Sequence, residues 1–434
     1  MRIPHPRLLL VSLAAIFAVL AILWAPGRHA GTRSAPTFSK QVSGPTSQPA
    51  VASETNATPS PATALAKPVS SNSDLLASLR AVLAIPNVVP GEALLTFRSR
   101  EALDRFTRAA AGGAVETLGV LPQLNAARVR YGSLENLRDL LAATPAGDAA
   151  VEGNLWLAVP PPAPQPDLTN EGGTAPFGRE MLAAINAAGD RRHWGENITV
   201  AVLDTGVLAH PTFGTAAVMH LDLVNDGQPF HSHGTSIASL IVGRDPQAPG
   251  VAPGARLLDI RVANAEGYTV SSLLAQGIIA ATDRGAQVIN ISLGGYGESP
   301  LLQQALGYAA QRGAVVVAAA GNDAYSQLAV PASYSGVISV GSVDAQNRQA
   351  YFSNSGEGLT LAAPGVGVIS AWETDKIALT SGTSQSSALV SAAAAAYLGW
   401  GVSSNAVAAR LRSDARPATT GGVRSLLIKP PSGR

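Results

Sequence analysis

The chain has no cysteine. That one absence excludes disulfides, thiol nucleophiles and cysteine metal sites together, yet it leaves an extracytoplasmic address open, because oxidising compartments permit disulfides without requiring them. Charge is scarce as well. Charged residues make up 14% of the chain and the formal net charge is +1, so the basic face that a nucleic-acid partner requires is not supplied. What the 434 residues do have is apolar content, 46%, which is ample for a packed core in a chain long enough for more than one domain.

Arg2 and Arg7 precede an uncharged run from Leu8 to Ala25, near the minimum length for crossing a bilayer and longer than most signal-peptide cores. Residues 1–30 therefore read as a signal peptide or signal anchor. The flanking arginines favour a cytoplasmic N-terminus with the remainder outside, membrane-anchored or secreted. Residues 31–73, rich in Ser, Thr, Pro and Ala, read as a flexible tether.

Residues 74–160 carry a small α+β pattern. PGEALLTF suits a strand, and SREALDRFTRAAA is a helix with Leu103, Phe106 and Ala110 on one face. AVETLGV, NAARVRY, the helix SLENLRDLLAAT and a last strand near NLWLAVP complete a split β-α-β-β-α-β order, ferredoxin-like. The proline-rich stretch beginning at Pro160 separates this part, through a linker over 161–176, from residues 177–434. Exposed, proline-punctuated backbone of this kind suits a processing site.

In the last part strands ITVAVLD, ARLLDIRV, QVINISLG, AVVVAAA and GVISVGSV alternate with helical stretches after His233, over 270–284, over 300–312 and after Ser384. The alternation implies an α/β, mostly parallel, doubly wound sheet, whose ligands gather at the carboxyl ends of the strands. Asp204, Ser292 and Asn322 all fall at such ends. Ser384 follows Gly382-Thr383 and opens an alanine-rich helix, a place that suits a nucleophile or an N-cap serine.

ITVAVLDTGV with Asp204, HSHGTSIASLIVG with His233, VVVAAAGND with Asn322 and SGTSQSSALVSAAAAAYL with Ser384 occur in the order Asp, His, Asn, Ser. This pattern resembles the subtilisin-like serine peptidases over roughly Phe177 to Ala415. The resemblance implies Asp204, His233 and Ser384 as catalytic residues, Asn322 as oxyanion donor, and a substrate groove formed by Ser292, Leu293 and Gly294 facing Ala263–Thr269. Ala318 to Gly321, including Ala319 and Gly321, would wall the pocket before the scissile bond. Residues 74–160 resemble the family's propeptide domain, which makes the chain's own N-terminal part a partner beside polypeptide substrates. No cofactor and no metal is implied. His231 reads as a loop residue near the cleft; a metal site built from His231, His233 and Asp222 or Asp226 is a competing reading.

Two departures from the family stand out. Gln385-Ser386-Ser387-Ala388 replaces the usual Met-Ala-Ser/Thr-Pro after the nucleophile, and GRDPQAP is short where many relatives carry a calcium loop. The expectation is an exported serine endopeptidase made as a self-processing zymogen. The alternative, from a different class, is a catalytically silent protein of the same fold that binds peptides or a partner.

Overall fold

Each of the five predicted apolar runs forms a strand, and the reason is visible in how their side chains divide. Along Thr199–Asp204, Val200 and Val202 join one hydrophobic cluster while Ala201 and Leu203 join another. Along Val315–Ala319, Val315 and Val317 face the first cluster, and Val316 and Ala318 the second. Successive side chains of a strand point to opposite faces, so a strand buried on both faces must be apolar at every position. In order across the sheet the strands are Arg416–Pro417, Arg424–Ser425, Leu361–Pro364, Ile338–Val343, Val315–Ala319, Val288–Ile291, Thr199–Asp204, Arg256–Arg261 and Val218–Asp222. All neighbours run parallel except the terminal Arg416–Pro417 pair.

The structure, a computed structural model, describes residues 72–143, 149–160, 174–214 and 218–431. The predicted anchor at 8–25, the tether up to residue 71 and the linker from 161 to 173 lie outside them. Among the described residues no helix is long and apolar enough to cross a membrane. All of them belong to one compact unit.

Helices cover both faces of the large sheet. Ser232–Val242, Thr383–Gly399 and Ser404–Asp414 pack on one, through residues such as Ile237, Ala392 and Leu411. Ser271–Asp283 and Pro300–Gln311 pack on the other, through Leu274, Ile278 and Leu302. A two-stranded hairpin, Val368–Trp372 with Lys376–Thr380, lies beside the first group.

The N-terminal part is a four-stranded antiparallel sheet, ordered Val115–Leu121, Ala126–Tyr131, Glu92–Thr96, Ala150–Glu152. That order is the ferredoxin-like one expected. One predicted strand is elsewhere: Ala150–Glu152 closes the sheet, and Trp156–Ala158 leaves it to pair antiparallel with Tyr268–Val270. Alternation again explains the packing. Leu95 faces the part's own core with Phe97, Leu103, Phe106 and Val129, whereas Leu94, Ala126 and Leu157 join the core that holds the Ser271–Asp283 and Pro300–Gln311 helices. A helix at Asn72–Leu83, ahead of the PGEALLTF strand at which the sequence pattern sets the start of order, packs Leu79 into the smaller core.

Candidate active site

Asp204 ends a central strand and is fully buried. Its Oδ1 accepts from the Thr205 amide at 2.8 Å, and both carboxylate oxygens face His233 Nδ1, at 2.8 and 3.0 Å. A buried carboxylate is tolerated only when it is hydrogen-bonded or paired, and here it is both. Thr205 binds this strand end to the next element: its hydroxyl lies 2.9 Å from the His231 carbonyl oxygen and accepts from the Gly234 amide at 3.1 Å. Glycine at 234 follows from the same closeness, since a Cβ there would sit 2.3 Å from the Gly206 carbonyl oxygen.

His233 is the second residue of Ser232–Val242. His231 is not a plain loop residue. It is the N-cap of this helix, its Nδ1 accepting from the His233 amide at 3.2 Å, with Trp372 edge-on at 5.9 Å. Burial, and then the neighbouring His233, push the His231 imidazole below its ordinary pKa, which favours the neutral ring that can accept this bond.

Ser384 is the second residue of Thr383–Gly399, whose N-cap is Gly382, so its hydroxyl is not the cap. The Oγ donates to the Ser292 carbonyl at 3.1 Å rather than to His233. The Ser384 and His233 helices pack against one another in the same core. Sinking a whole helix into a core sets a cost on every polar side chain that lacks a partner, and its serines have theirs. Ser386 bonds Ser342 and the Ala363 carbonyl, Ser387 bonds Ser292 and the Ser384 carbonyl, and Ser391 bonds Asn290.

Asn322 follows the strand Val315–Ala319. Its Oδ1 accepts from both the amide and the hydroxyl of Thr383, at 2.9 and 2.8 Å. That choice of acceptor turns Nδ2 the other way, towards Gly382: a Cβ built on Gly382 would lie 3.0 Å from Asn322 Nδ2 and 3.7 Å from the Ser384 amide nitrogen. Two donors thus border one small space beside the serine.

The groove residues stand around it. Ser292 supplies the carbonyl under Ser384 Oγ, Leu293 is buried, and Gly294 exchanges two backbone hydrogen bonds of 2.9 Å with Ala158. Ala319 ends its strand buried, and the Gly321 amide donates to Thr383 Oγ1 at 3.2 Å. Across the groove the Val159 amide donates to the Gly267 carbonyl at 2.8 Å. An extended peptide therefore lies between residues 267–270 and 294, and it is the chain's own segment Trp156–Val159.

Three residues that the sequence reading passed over shape this site. Asn354, fully buried, accepts from the Asp323 and Tyr325 amides at 3.0 Å each and donates to the Ala320 carbonyl, folding the loop that carries Asn322. A Cβ on Gly321 would lie 2.3 Å from the Asn354 Nδ2, which is why glycine stands there. Asp259 holds the Val207 amide and His220 Nδ1, both at 2.9 Å, and so pins the turn after Asp204; its hydrogen bond holds His220 above the ordinary imidazole pKa. Arg261, 1% exposed, takes both Asp222 and Asp226, which engages the carboxylates offered for a His231–His233 metal site. Among the described residues no group of three or more His, Asp or Glu could hold a metal ion.

Comparison with known proteins gives the family and the fold. Residues 195–425 match the subtilase family. Subtilisin BL of Lederbergia lenta is 38% identical over 228 residues, 51% of this chain and 83% of that protein. A thermophilic serine proteinase of Bacillus sp. (strain AK1) is 40% identical over 203 residues, 45% of this chain and 51% of the proteinase, so the chain spans about half the length of that relative. Among solved structures, a cold adapted subtilisin-like serine proteinase superposes with a TM-score of 0.51 at 28% identity, over 56% of this chain and 92% of its own. Fervidolysin from Fervidobacterium pennivorans shares the fold with a TM-score of 0.66 at 24% identity, over 79% of this chain and 60% of its own.

Proposed function

The chain belongs to the subtilase family, and from that premise we propose that it is an exported serine endopeptidase, made as a zymogen whose residues 74–160 are a self-removed inhibitory propeptide. The observation that carries this reading is the buried Asp204–His233 pair, its histidine on a helix that packs against the one whose first turn carries Ser384. In the mechanism His233 Nε2 takes the Ser384 proton as Oγ attacks the substrate carbonyl, and later returns it to the leaving amine. Asp204 holds the imidazole with Nδ1–H towards itself and stabilises the imidazolium. Asn322 Nδ2 and the Ser384 amide donate to the oxyanion. Because Ser384 Oγ rests on the Ser292 carbonyl at 3.1 Å, attack requires it to rotate towards His233. The grounds for export lie in residues 8–25, which the sequence reading takes as a signal peptide or membrane anchor.

A peptide substrate and two reagents test the activity. A serine-directed fluorophosphonate is expected to abolish hydrolysis and to label Ser384, while a chelator leaves initial rates unchanged. Loss to the chelator with recovery on adding zinc would overturn the mechanism.

The zymogen reading is supported by how residues 152–155 meet the larger part. The first amides of a helix lack intrahelical partners. Glu152 accepts from the Leu301 amide and the Ser299 hydroxyl at the start of Pro300–Gln311, and Asn154 Oδ1 accepts from the Ser272 amide at the start of Ser271–Asp283. Burial pushes the Glu152 carboxyl from the usual 4.5 up to about 7, against the lowering pull of the Ser299 and Leu301 bonds. The docked carboxyl therefore binds its proton more tightly than a free one. Docking is strongest below about 4.5 and weakens as pH rises to about 7, by at least about tenfold for a shift of this size. Retention of the cleaved N-terminal part on gel filtration, followed from pH 5 to 8, should fall accordingly. Glu152→Gln should flatten the dependence; an unaltered profile in that variant would assign it to another group.

A further inference from the structure

Gln385 stands directly after Ser384, where the family motif has methionine. It is 3% exposed, and its Oε1 is buried with no hydrogen-bond partner. An unpaired buried polar atom destabilises a fold, so an amide is held at a place that an apolar side chain would fill with less strain on the fold. Its aim suggests what it serves. A Cβ built on Gly382 falls 2.9 Å from Gln385 Oε1, 3.0 Å from Asn322 Nδ2 and 3.7 Å from the Ser384 amide nitrogen. Three polar atoms surround one point, which glycine at 382 keeps clear, and two of the three are the donors assigned to the oxyanion.

Among the described residues no hydrogen bond holds either end of the Gln385 amide. Rotation of its terminal torsion by 180° exchanges Oε1 for Nε2 at the same place, with no bond lost. With oxygen inward the group opposes negative charge in that space; with nitrogen inward it donates to it. We propose that Gln385 is a third oxyanion donor, its Nε2 turned inward as negative charge develops on the carbonyl oxygen of the peptide under attack. It transfers no proton and forms no covalent bond. The proposal rests on the serine endopeptidase reading and adds a catalytic residue to it.

The test uses the full chain expressed with export, its active fraction titrated with a fluorophosphonate. Gln385→Met keeps the length and volume of the side chain and removes the donor. Because a donor to the oxyanion acts on the transition state, the expected result is a kcat lowered about tenfold, KM unchanged, and affinity for a peptide aldehyde, whose hemiacetal oxygen occupies the same space, lowered by the same factor. Gln385→Glu, which cannot donate when ionised and repels the oxyanion, should lose more. A methionine variant with kcat and aldehyde affinity within twofold of wild type, or with only KM altered, would overturn the proposal. Gln385→Ala gives the same readout should the methionine chain fail to accumulate. A wild-type chain inert to both substrate and fluorophosphonate would overturn the underlying reading and this proposal together.

Discussion

Asn322→Ala is expected to lower kcat by about 10²–10³ with KM little changed, a magnitude carried over from removal of the corresponding donor in subtilisin itself. The split between the two constants is the informative part. An oxyanion donor faces an oxygen that becomes negative only in the transition state, so losing it leaves ground-state binding in the groove intact. Alanine also removes the acceptor of two Thr383 hydrogen bonds, so a lower melting temperature should accompany the loss. Asn322→Asp separates the two effects. It keeps both acceptors and sets a carboxylate oxygen where Nδ2 stood, and should be at least as damaging to kcat. Steady-state kinetics on both variants, with Ser384 titrated to correct for active fraction, decides the matter. An aspartate variant of normal kcat would reduce Asn322 to a turn residue.

Why some of this was legible in the sequence and some was not follows from the range of the interactions. Doubly buried strands such as Val315–Ala319 are apolar throughout, so they announce themselves, and in an α/β sheet their carboxyl ends are where ligand-facing residues must collect. Asp204, Ser292 and Asn322 fall at or near such ends. Trp156–Ala158 reads as a strand, but its sheet is not legible, because alternation reports that a segment pairs and not with what. Its partner, Tyr268–Val270, is more than a hundred residues away and three residues long. The Asn72–Leu83 helix is masked by the Ser- and Pro-rich sequence before it, although Leu75, Leu79 and Leu83 recur at helical spacing. Asp259 and Asn354 leave no local sign, since each acts on a backbone amide that only the folded chain brings near. The Gln385 departure stands in the sequence, but the aim of its amide depends on Gly382 and Asn322, which only the folded chain sets beside it.

The largest effect expected is from Ser384→Ala, which should abolish hydrolysis and leave the chain uncut. Only one oxygen is lost, together with its hydrogen bond to the Ser292 carbonyl, which at about 1 kcal/mol should leave the fold intact. Self-cleavage is suggested by where the chain runs. Ala158 pairs in both directions with Gly294, and antiparallel pairing continued by two residues would set Pro160 opposite Ser292, whose carbonyl receives the Ser384 hydroxyl. Proline has no amide hydrogen to give that carbonyl, so pairing stops at Pro160, where the described segment ends close to the carbonyl that receives the Ser384 hydroxyl. Expressed with export, the wild-type chain should therefore yield a shorter species beginning between Pro160 and Arg179, whereas Ser384→Ala should accumulate as the precursor with Trp156–Val159 still seated. N-terminal sequencing of both chains reads the result. In a host without other proteases able to cut the linker, identical processing of the two would mean that Ser384 is not the nucleophile of the cut or that residues 74–160 are not removed by the chain itself, and fluorophosphonate labelling of the wild type tells these apart. A labelled enzyme retaining its N-terminal part would keep the peptidase and discard the propeptide, because the segment in the groove would then be a standing inhibitor rather than a product.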